Sequence, residues 1–331
     1  MNNSKITYTA EQLSQIIGVD VKCIEQNVSL AKRTWIHRGG TATWWIAPNN
    51  YEDLIKVGRY LFEEQLQFDI IGHTSNIYFT NSYNPEVILD TRHVKDIWFD
   101  DEEIVCDAGV PTAHLARECI NRGICGYEGF IDLPGTVGAA VVNNSGCFGC
   151  EMSKIVNSIE LLTKDGLVLL TNADLKYTHR NSVLKDKEII GIVLRIRLDA
   201  KQRIKITEEL RKIAVKNHEI RISTQEKPAH NLGSTFANIS FKRNYQYFLV
   251  RIIVKLLTFL KINHFTILKI QKQLYLRLQN KMQLARYISD KNLNTYLFLD
   301  EYADKYFQDY IKFIESIYNE PKLEIEIKKQ Y

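Results

Sequence analysis

Two short stretches hold the residue types best suited to chemistry: Gly72 to Asn76 (GHTSN) and Pro134 to Gly146 (PGTVGAAVVNNSG). Glycines and hydroxyl residues let backbone N–H groups approach a phosphate with no side chain in the way. Either stretch alone also reads as an ordinary turn. Neither follows G-x-G-x-x-G or G-x-x-x-x-G-K-[ST], which argues against a Rossmann dinucleotide site and a P-loop.

A second set is scattered along the chain: Arg180 in THRNS, Ser234 in LGSTFAN and Glu326 in LEIEI. An arginine beside a hydroxyl can bind a carboxylate. A serine between a glycine and a β-branched residue can present its hydroxyl from a loop. A glutamate on the polar face of a strand is ordinarily solvated. Cys147 and Cys150 form C-x-x-C, but one pair supplies two of the roughly four ligands of a structural zinc, and no second pair follows. The histidines show no metal-ligand spacing, so no metal is expected.

The elements that must position these residues are legible from period and punctuation. Thr9 and Gln12 predict a capping box for a short helix stopped by Gly18. Asn50 predicts the cap of a helix carrying Leu54, Val57 and Leu61. A turn at the glycine pair and then a strand are predicted within 33–48, with further strands on both sides of the loop 72–76, at 86–90 and at 103–109. Pro111 opens a helix to about Arg122, with Gly123 as its stop. The stretch 132–149, with four glycines, reads as an ordered loop. A hairpin is predicted over 157–171 with its turn at Asp165-Gly166, a strand at 190–198, a charged helix near 208–217, an amphipathic helix over 302–317 and a half-buried strand over 323–327. The order is α+β.

The last third differs. No Asp or Glu occurs from 227 to 289, while residues 242–286 hold ten Lys or Arg. This stretch is apolar as well as basic (YFLVRIIVKLLTFLKI). It predicts either a contact with an anionic membrane surface through 247–275 or a helical hairpin that packs internally with its lysines reaching out to water. No RNA- or DNA-binding pattern accompanies it, so no nucleic-acid partner is expected.

Composition bounds the class. The chain has 331 residues, is 45% hydrophobic and 25% charged, and carries a net charge of +4. That excludes disordered and low-complexity classes and allows two or three domains. The polar start shows no secretory signal, no charge-free apolar run reaches about 18 residues, and six cysteines in this length do not form a secreted disulfide scaffold. A cytoplasmic enzyme is the expectation.

Taken in order, these segments resemble the UDP-N-acetylenolpyruvoylglucosamine reductase family of flavoenzymes. Arg33-Thr34 with Gly39 and Gly40 resembles that family's N-T-x-x-x-x-G-G. Gly72, His73, Thr74, Ser75 and Asn76 resemble its G-x-G-S-N loop. Asp107-Ala108-Gly109-Val110 and then Pro134, Gly135, Thr136, Val137, Gly138 and Ala139 resemble G-A-G-V and I-P-G-T-V-G-G. Asn144, Gly146, Gly149 and Glu151 continue into N-A-G-A-Y-G-G-E. Arg180 and Ser182 fall in Y-R-x-S, Gly233, Ser234, Phe236 and Asn238 in G-S-x-F-K-N-P, and Leu323, Glu324 and Glu326 in L-E-P-E-V.

The resemblance implies a fold and a reaction. It implies a two-subdomain FAD-binding fold of the PCMH/vanillyl-alcohol-oxidase type, with subdomains at 1–92 and 93–202. A smaller substrate domain follows at 203–331, diverged by a basic helical insertion near 241–286. It also implies that both small-residue loops, with Gly39 and Gly40, hold FAD. NADPH would reduce the flavin, whose hydride then attacks the enolpyruvyl double bond of a UDP-linked sugar. Arg180 and Glu326 would polarise the substrate carboxylate and Ser234 would deliver the proton, with Tyr177, Asn238 and Lys227 as substrate contacts. A monomer or weak dimer is expected.

Several positions depart from the family pattern. Thr74 replaces the second loop glycine, His179 stands before the motif arginine, and Ala237 and Ile239 replace a lysine and a proline. SDKNLN (289–294) is a faint match to S-x-x-H-A-N. An alternative therefore stands beside the first reading: a diverged FAD-dependent oxidoreductase acting on another nucleotide-linked sugar of surface-polysaccharide synthesis.

Overall fold

The computed structural model describes residues 8–201, 207–227, 230–237, 239–243 and 245–330. The first elements are α1 (Ala10–Ile17), β1 (Ile24–Ser29), β2 (Thr41–Ile46), α2 (Tyr51–Glu63), β3 (Phe68–Ile71), β4 (Ile77–Phe79) and β5 (Val87–Asp90). Next come β6 (Ile97–Phe99), β7 (Glu103–Asp107), α3 (Thr112–Asn121), α4 (Val137–Val142), β8 (Gly146–Cys147) and β9 (Cys150–Glu151). They are followed by β10 (Val156–Thr163), β11 (Gly166–Thr171), β12 (Ile192–Asp199), α5 (Thr207–Thr224) and β13 (Phe236–Ala237). The last are α6 (Phe248–Phe259), α7 (His264–Leu278), α8 (Ala303–Ile317), β14 (Lys322–Leu323) and β15 (Glu326–Lys328). Two compact units interleave: Met1–Leu30, Gly39–Thr74 and Ser82–His218 form the first, and Ala31–Arg38, Ser75–Asn81 and Glu219–Tyr331 the second.

The first unit holds two sheets. One has the order β1-β2-β5-β3, with β2, β5 and β3 parallel. Its helices form where their caps predict: Thr9 and Gln12 bond reciprocally at the start of α1, and Gly18 ends it at φ 75°. The Asn50 side chain accepts from the Asp53 N–H at the start of α2. Leu54, Val57 and Leu61 then form one buried stripe. The other sheet, β11-β10-β12-β7-β6, is antiparallel throughout. Helix α2 lies against it: a Cβ on Gly58 would stand 2.6 Å from Leu162 Cδ2 and 2.8 Å from Ile192 Cδ1. Helices α3 and α4 bury Leu115, Cys119, Val137 and Val141 with Ile159 and Ile196.

The second unit is mainly helical, with an aromatic core. The Tyr296 ring centroid lies within 5.1 Å of those of Phe298 and Phe307, edge-on, and of Tyr310, tilted. Tyr78 joins this group at 5.0 Å from Phe298 and donates its hydroxyl proton to Asp304 at 2.8 Å. Two short pairs add to it, β13 antiparallel to β14 and β15 parallel to β4.

Four local expectations change. The stretch 132–149 contains helix α4 and the β8–β9 hairpin rather than loop alone. Its small residues carry no amphipathic signal, and the helix follows from the Thr136 cap on the Ala139 N–H and the burial of Val137 and Val141. The hairpin turn is Lys164-Asp165, because Thr163 pairs with Gly166. Helix α5 continues to Thr224. The strand expected over 323–327 splits into β14 and β15, which pair with different partners, and Leu323 is exposed.

Candidate active site

In the first unit, the loop after β3 leaves the carboxyl end of the parallel sheet, the usual position for ligands of such sheets. Gly72 is buried there, and a Cβ on it would lie 2.3 Å from Thr136 Oγ1. The two stretches read as phosphate loops are therefore in contact. Gly109 is equally constrained, since its Cβ would meet the Thr91 carbonyl oxygen at 2.0 Å. Gly138 brings α4 against Ala108, whose Cβ would be 2.8 Å from an added Cβ. Val137 and Gly138 donate their N–H groups to the carbonyls of Val110 and Ala108, at 2.8 and 2.9 Å, which fixes the loop's backbone.

His73 is half-buried, and its imidazole is hydrogen-bonded by the Gly135 backbone. Burial is the main force that holds its pKa below the usual histidine value, and the positive charge of Arg92 adds to it. Arg92 makes a forked bond to Asp90 at 2.9 and 2.7 Å. Neither residue stood out in the sequence; their position at the end of β5 and just beyond it was the available signal. Thr74 is buried at φ 55°, a conformation costly for a β-branched residue, at the position where the family pattern has glycine. Gly39, at φ 122°, and Gly40, whose N–H donates to Tyr83 O at 3.2 Å, precede β2 in the same unit.

Arg180 sits on a two-residue turn closed by reciprocal Thr178–Asn181 bonds of 3.1 Å, at φ 57°. Its Nη1 would be 3.3 Å from a Cβ on Gly146. Asn144 links this turn to the second loop: its Nδ2 donates to Thr178 O at 2.8 Å and to Glu151 Oε1 at 3.0 Å, and its Oδ1 accepts from the Ser153 N–H at 2.9 Å. Ser182 adds a bond to Val142 O at 2.6 Å. The Tyr177 hydroxyl is buried and makes no hydrogen bond among the described residues, and burial pushes its pKa up.

The second unit gathers a different group. The Glu324 N–H donates to Thr235 O, next to Ser234, at 2.9 Å. Asn76 Nδ2 donates to Glu324 O at 3.1 Å, and the Glu326 N–H donates to Asn76 O at 2.9 Å. Thr235, Glu324, Asn76 and Glu326 thus share one set of hydrogen bonds, and Ser234 directly precedes it in the chain. Ser234 is half-buried. Glu326 is exposed and ion-paired with Lys328 at 2.7 Å. Lys227 is exposed, and Asn238 lies outside the described residues.

The residues around Gly72 and Thr136 fit a dinucleotide flavin: two loops approach closely with no bulky side chain at the contact. The expectation of no metal concerned Cys147 and Cys150 above all. They face each other across the β8–β9 hairpin with no disulfide between them, and no group of three ligating side chains occurs among the described residues. Burial pushes the Cys150 thiol pKa up, and its sulfur accepts from the Gly129 N–H at 3.2 Å.

Comparison with known proteins agrees with this geometry. Residues 43–172 match the family described as "FAD binding domain". The UDP-N-acetylenolpyruvoylglucosamine reductase of a Synechocystis species is 32% identical over 223 residues, covering 65% of this chain and 68% of that protein. The same-named protein of Acaryochloris marina is 30% identical over 218 residues, covering 65% and 70%. The crystal structure of the Thermus caldophilus reductase shares the fold with a TM-score of 0.64 over 92% of this chain and 99% of that one, at 20% identity. The chain is a FAD-dependent oxidoreductase and belongs to the UDP-N-acetylenolpyruvoylglucosamine reductase family.

Proposed function

We propose that this chain reduces the enolpyruvyl group of UDP-N-acetylglucosamine-enolpyruvate to UDP-N-acetylmuramate, in the cytoplasm and with NADPH as electron donor. The relatives' shared name supports the substrate. The observation that carries the reading is the set of hydrogen bonds joining Thr235, Glu324, Asn76 and Glu326, because it holds the backbone next to Ser234 against the segment that carries Glu326.

Bound FAD supplies the hydride. Gly72 to Asn76 and Pro134 to Gly146, with Gly39 and Gly40, are assigned to holding it. Hydride addition to the alkene puts charge on the substrate carboxylate, and the Arg180 guanidinium takes up that charge. Its turn, fixed through Asn144 and Ser182, holds it in place before substrate arrives. Glu326 is assigned a share in this task, and its ion pair with Lys328 has to open for it to reach the substrate. Ser234 delivers its hydroxyl proton to the carbon next to the carboxylate. Serine is a weak acid in water, but against an enolate-like partner it serves. Tyr177, Asn238 and Lys227 are assigned to substrate binding, and the subdomain limits at 92 and 202 to the flavin half. A monomer or weak dimer suffices for this chemistry.

The test separates the two half-reactions. With flavin-loaded protein, NADPH should bleach the flavin, and UDP-N-acetylglucosamine-enolpyruvate should restore its colour. In Ser234→Ala the bleaching should persist while reoxidation by substrate falls by about 10²–10⁴-fold. Bleaching by NADPH without reoxidation by this substrate in the native protein would overturn the assignment. It would instead favour the alternative, a diverged FAD-dependent oxidoreductase acting on another nucleotide-linked sugar of surface-polysaccharide synthesis. One observation favours that reading: the acid-free segment 227–289 occupies the substrate half, where the family pattern is faint.

A further inference from the structure

Helix α6 is apolar except at Arg251, Lys255 and Thr258, yet only one side of it is covered. Val250 is buried, and Val254 is partly buried, against the second unit's core. On the opposite side, Phe248, Leu249, Ile252, Leu256, Phe259 and Leu260 are all exposed, Phe259 at 82%, Leu249 at 68% and Leu256 at 54%. At about 100° per residue these six positions span about 120° of one continuous face. Tyr245, 92% exposed, stacks parallel to Phe248 at the start of this face.

The charges around the face have one sign. Lys255 lies on its edge, between Ile252 and Phe259, and Lys261 stands in the turn that follows. Both are exposed, and neither has an ion-pair partner among the described residues. Other lysines of the segment do have acidic partners: Lys269 and Lys272 pair with Asp290, and Lys281 with Asp309. Lys255 and Lys261 thus stand beside the apolar face without an acidic partner among the described residues; Lys242, Arg243 and Arg277 also lack one elsewhere in a stretch without any Asp or Glu from 227 to 289.

We propose that the exposed face of α6, with Lys255 and Lys261, seats the protein peripherally on a bilayer surface of anionic lipid. A helix of 12 residues is about 18 Å long, short of the roughly 30 Å hydrocarbon core, so it lies in the interface rather than across it. No helix among the described residues is long and apolar enough to cross. Aromatic rings at the rim and lysines reaching to headgroups are what an interfacial helix requires. A second copy of the chain is a poorer occupant. A two-fold contact would bring Lys255 and Lys261 towards their own copies, and one short helix face falls well below the about 800 Å² per partner of a stable interface.

The test is flotation of the full-length, flavin-loaded protein with vesicles of phosphatidylcholine alone or of phosphatidylcholine and phosphatidylglycerol at about 7:3. Binding should be at least about tenfold stronger to the anionic vesicles and should weaken in high salt. Lys255→Glu/Lys261→Glu, which leaves the apolar face unchanged, should lose the preference. Leu256→Ser/Phe259→Ser should lose binding while flavin absorbance and circular dichroism stay native. Equal binding to both vesicles, or none to either, would overturn the proposal. So would a native dimer that Leu256→Ser/Phe259→Ser converts to monomer.

Discussion

The two units place their candidate residues by different means. In the first, position is set by steric exclusion: Gly72, Gly109 and Gly138 sit where any Cβ would collide with neighbouring atoms. In the second, Ser234 and Glu326 are held by short strand pairs and a few backbone bonds, and Gly233 beside Ser234 has nothing within 4 Å of an added Cβ. The difference suggests which half tolerates divergence. A cradle built from close backbone contacts loses its shape with one added methyl, whereas a site carried on short pairs survives changes in the helices around it. That agrees with where the longest departure from the family lies, in the helical and basic part of the second unit, whereas the first unit departs at single positions such as Thr74 and His179.

The same substitution in both units tests this comparison most strongly. Gly109→Ala puts a methyl 2.0 Å from the Thr91 carbonyl oxygen and 2.5 Å from that of Val94. It should cost about 3 kcal/mol or more and abolish flavin loading. Gly233→Ala meets only the φ of 76°, so it should cost about 1–2 kcal/mol and keep the flavin. Equal losses in thermal unfolding would break the comparison.

A smaller effect is expected at Asn144, which holds the Arg180 turn by polar bonds rather than by exclusion. Asn144→Ala removes three hydrogen bonds from a buried position and should cost about 2–3 kcal/mol. Turnover should fall while flavin reduction by NADPH persists. Unchanged turnover would show that the turn holds its place without Asn144.

The smallest effect concerns His73. Its pKa is lowered from 6.5 in the folded chain, so the unfolded chain binds its proton first as pH falls. Stability should therefore be unaffected well above pH 6.5 and decline as pH drops below it, until the folded pKa is reached. His73→Gln should flatten that decline in chemical-denaturation curves taken between about pH 7 and 5. An identical pH slope in both proteins would remove His73 from the account.

What could be read from the chain alone was whatever neighbouring residues decide between themselves. The capping box at Thr9 and Gln12, the Asn50 cap and the alternation along β12 are contests settled within a few residues. The two small-residue loops could be singled out too, but each alone read as an ordinary turn, and only their place in the ordered resemblance to the family pointed to a flavin. Helix α4 could not, since it lacks an amphipathic stripe and its helicity depends on packing against Ala108 and Val110, brought by β7 and the turn after it. The split between β14 and β15 was equally hidden: Glu326 pairs with Ile77, and Leu323 with Phe236.

The amino-acid order by itself determined the caps and the basic, acid-free character of the last third, and, through its resemblance to the family, the cofactor class. Only the tertiary structure decided that Gly72 touches Thr136, that Asn76 binds the segment carrying Glu326, and that one face of α6 stays uncovered. The reason is physical. Caps and periodicity act through bonds a few residues apart, whereas these contacts join residues far apart in the chain and form only when the intervening elements have packed.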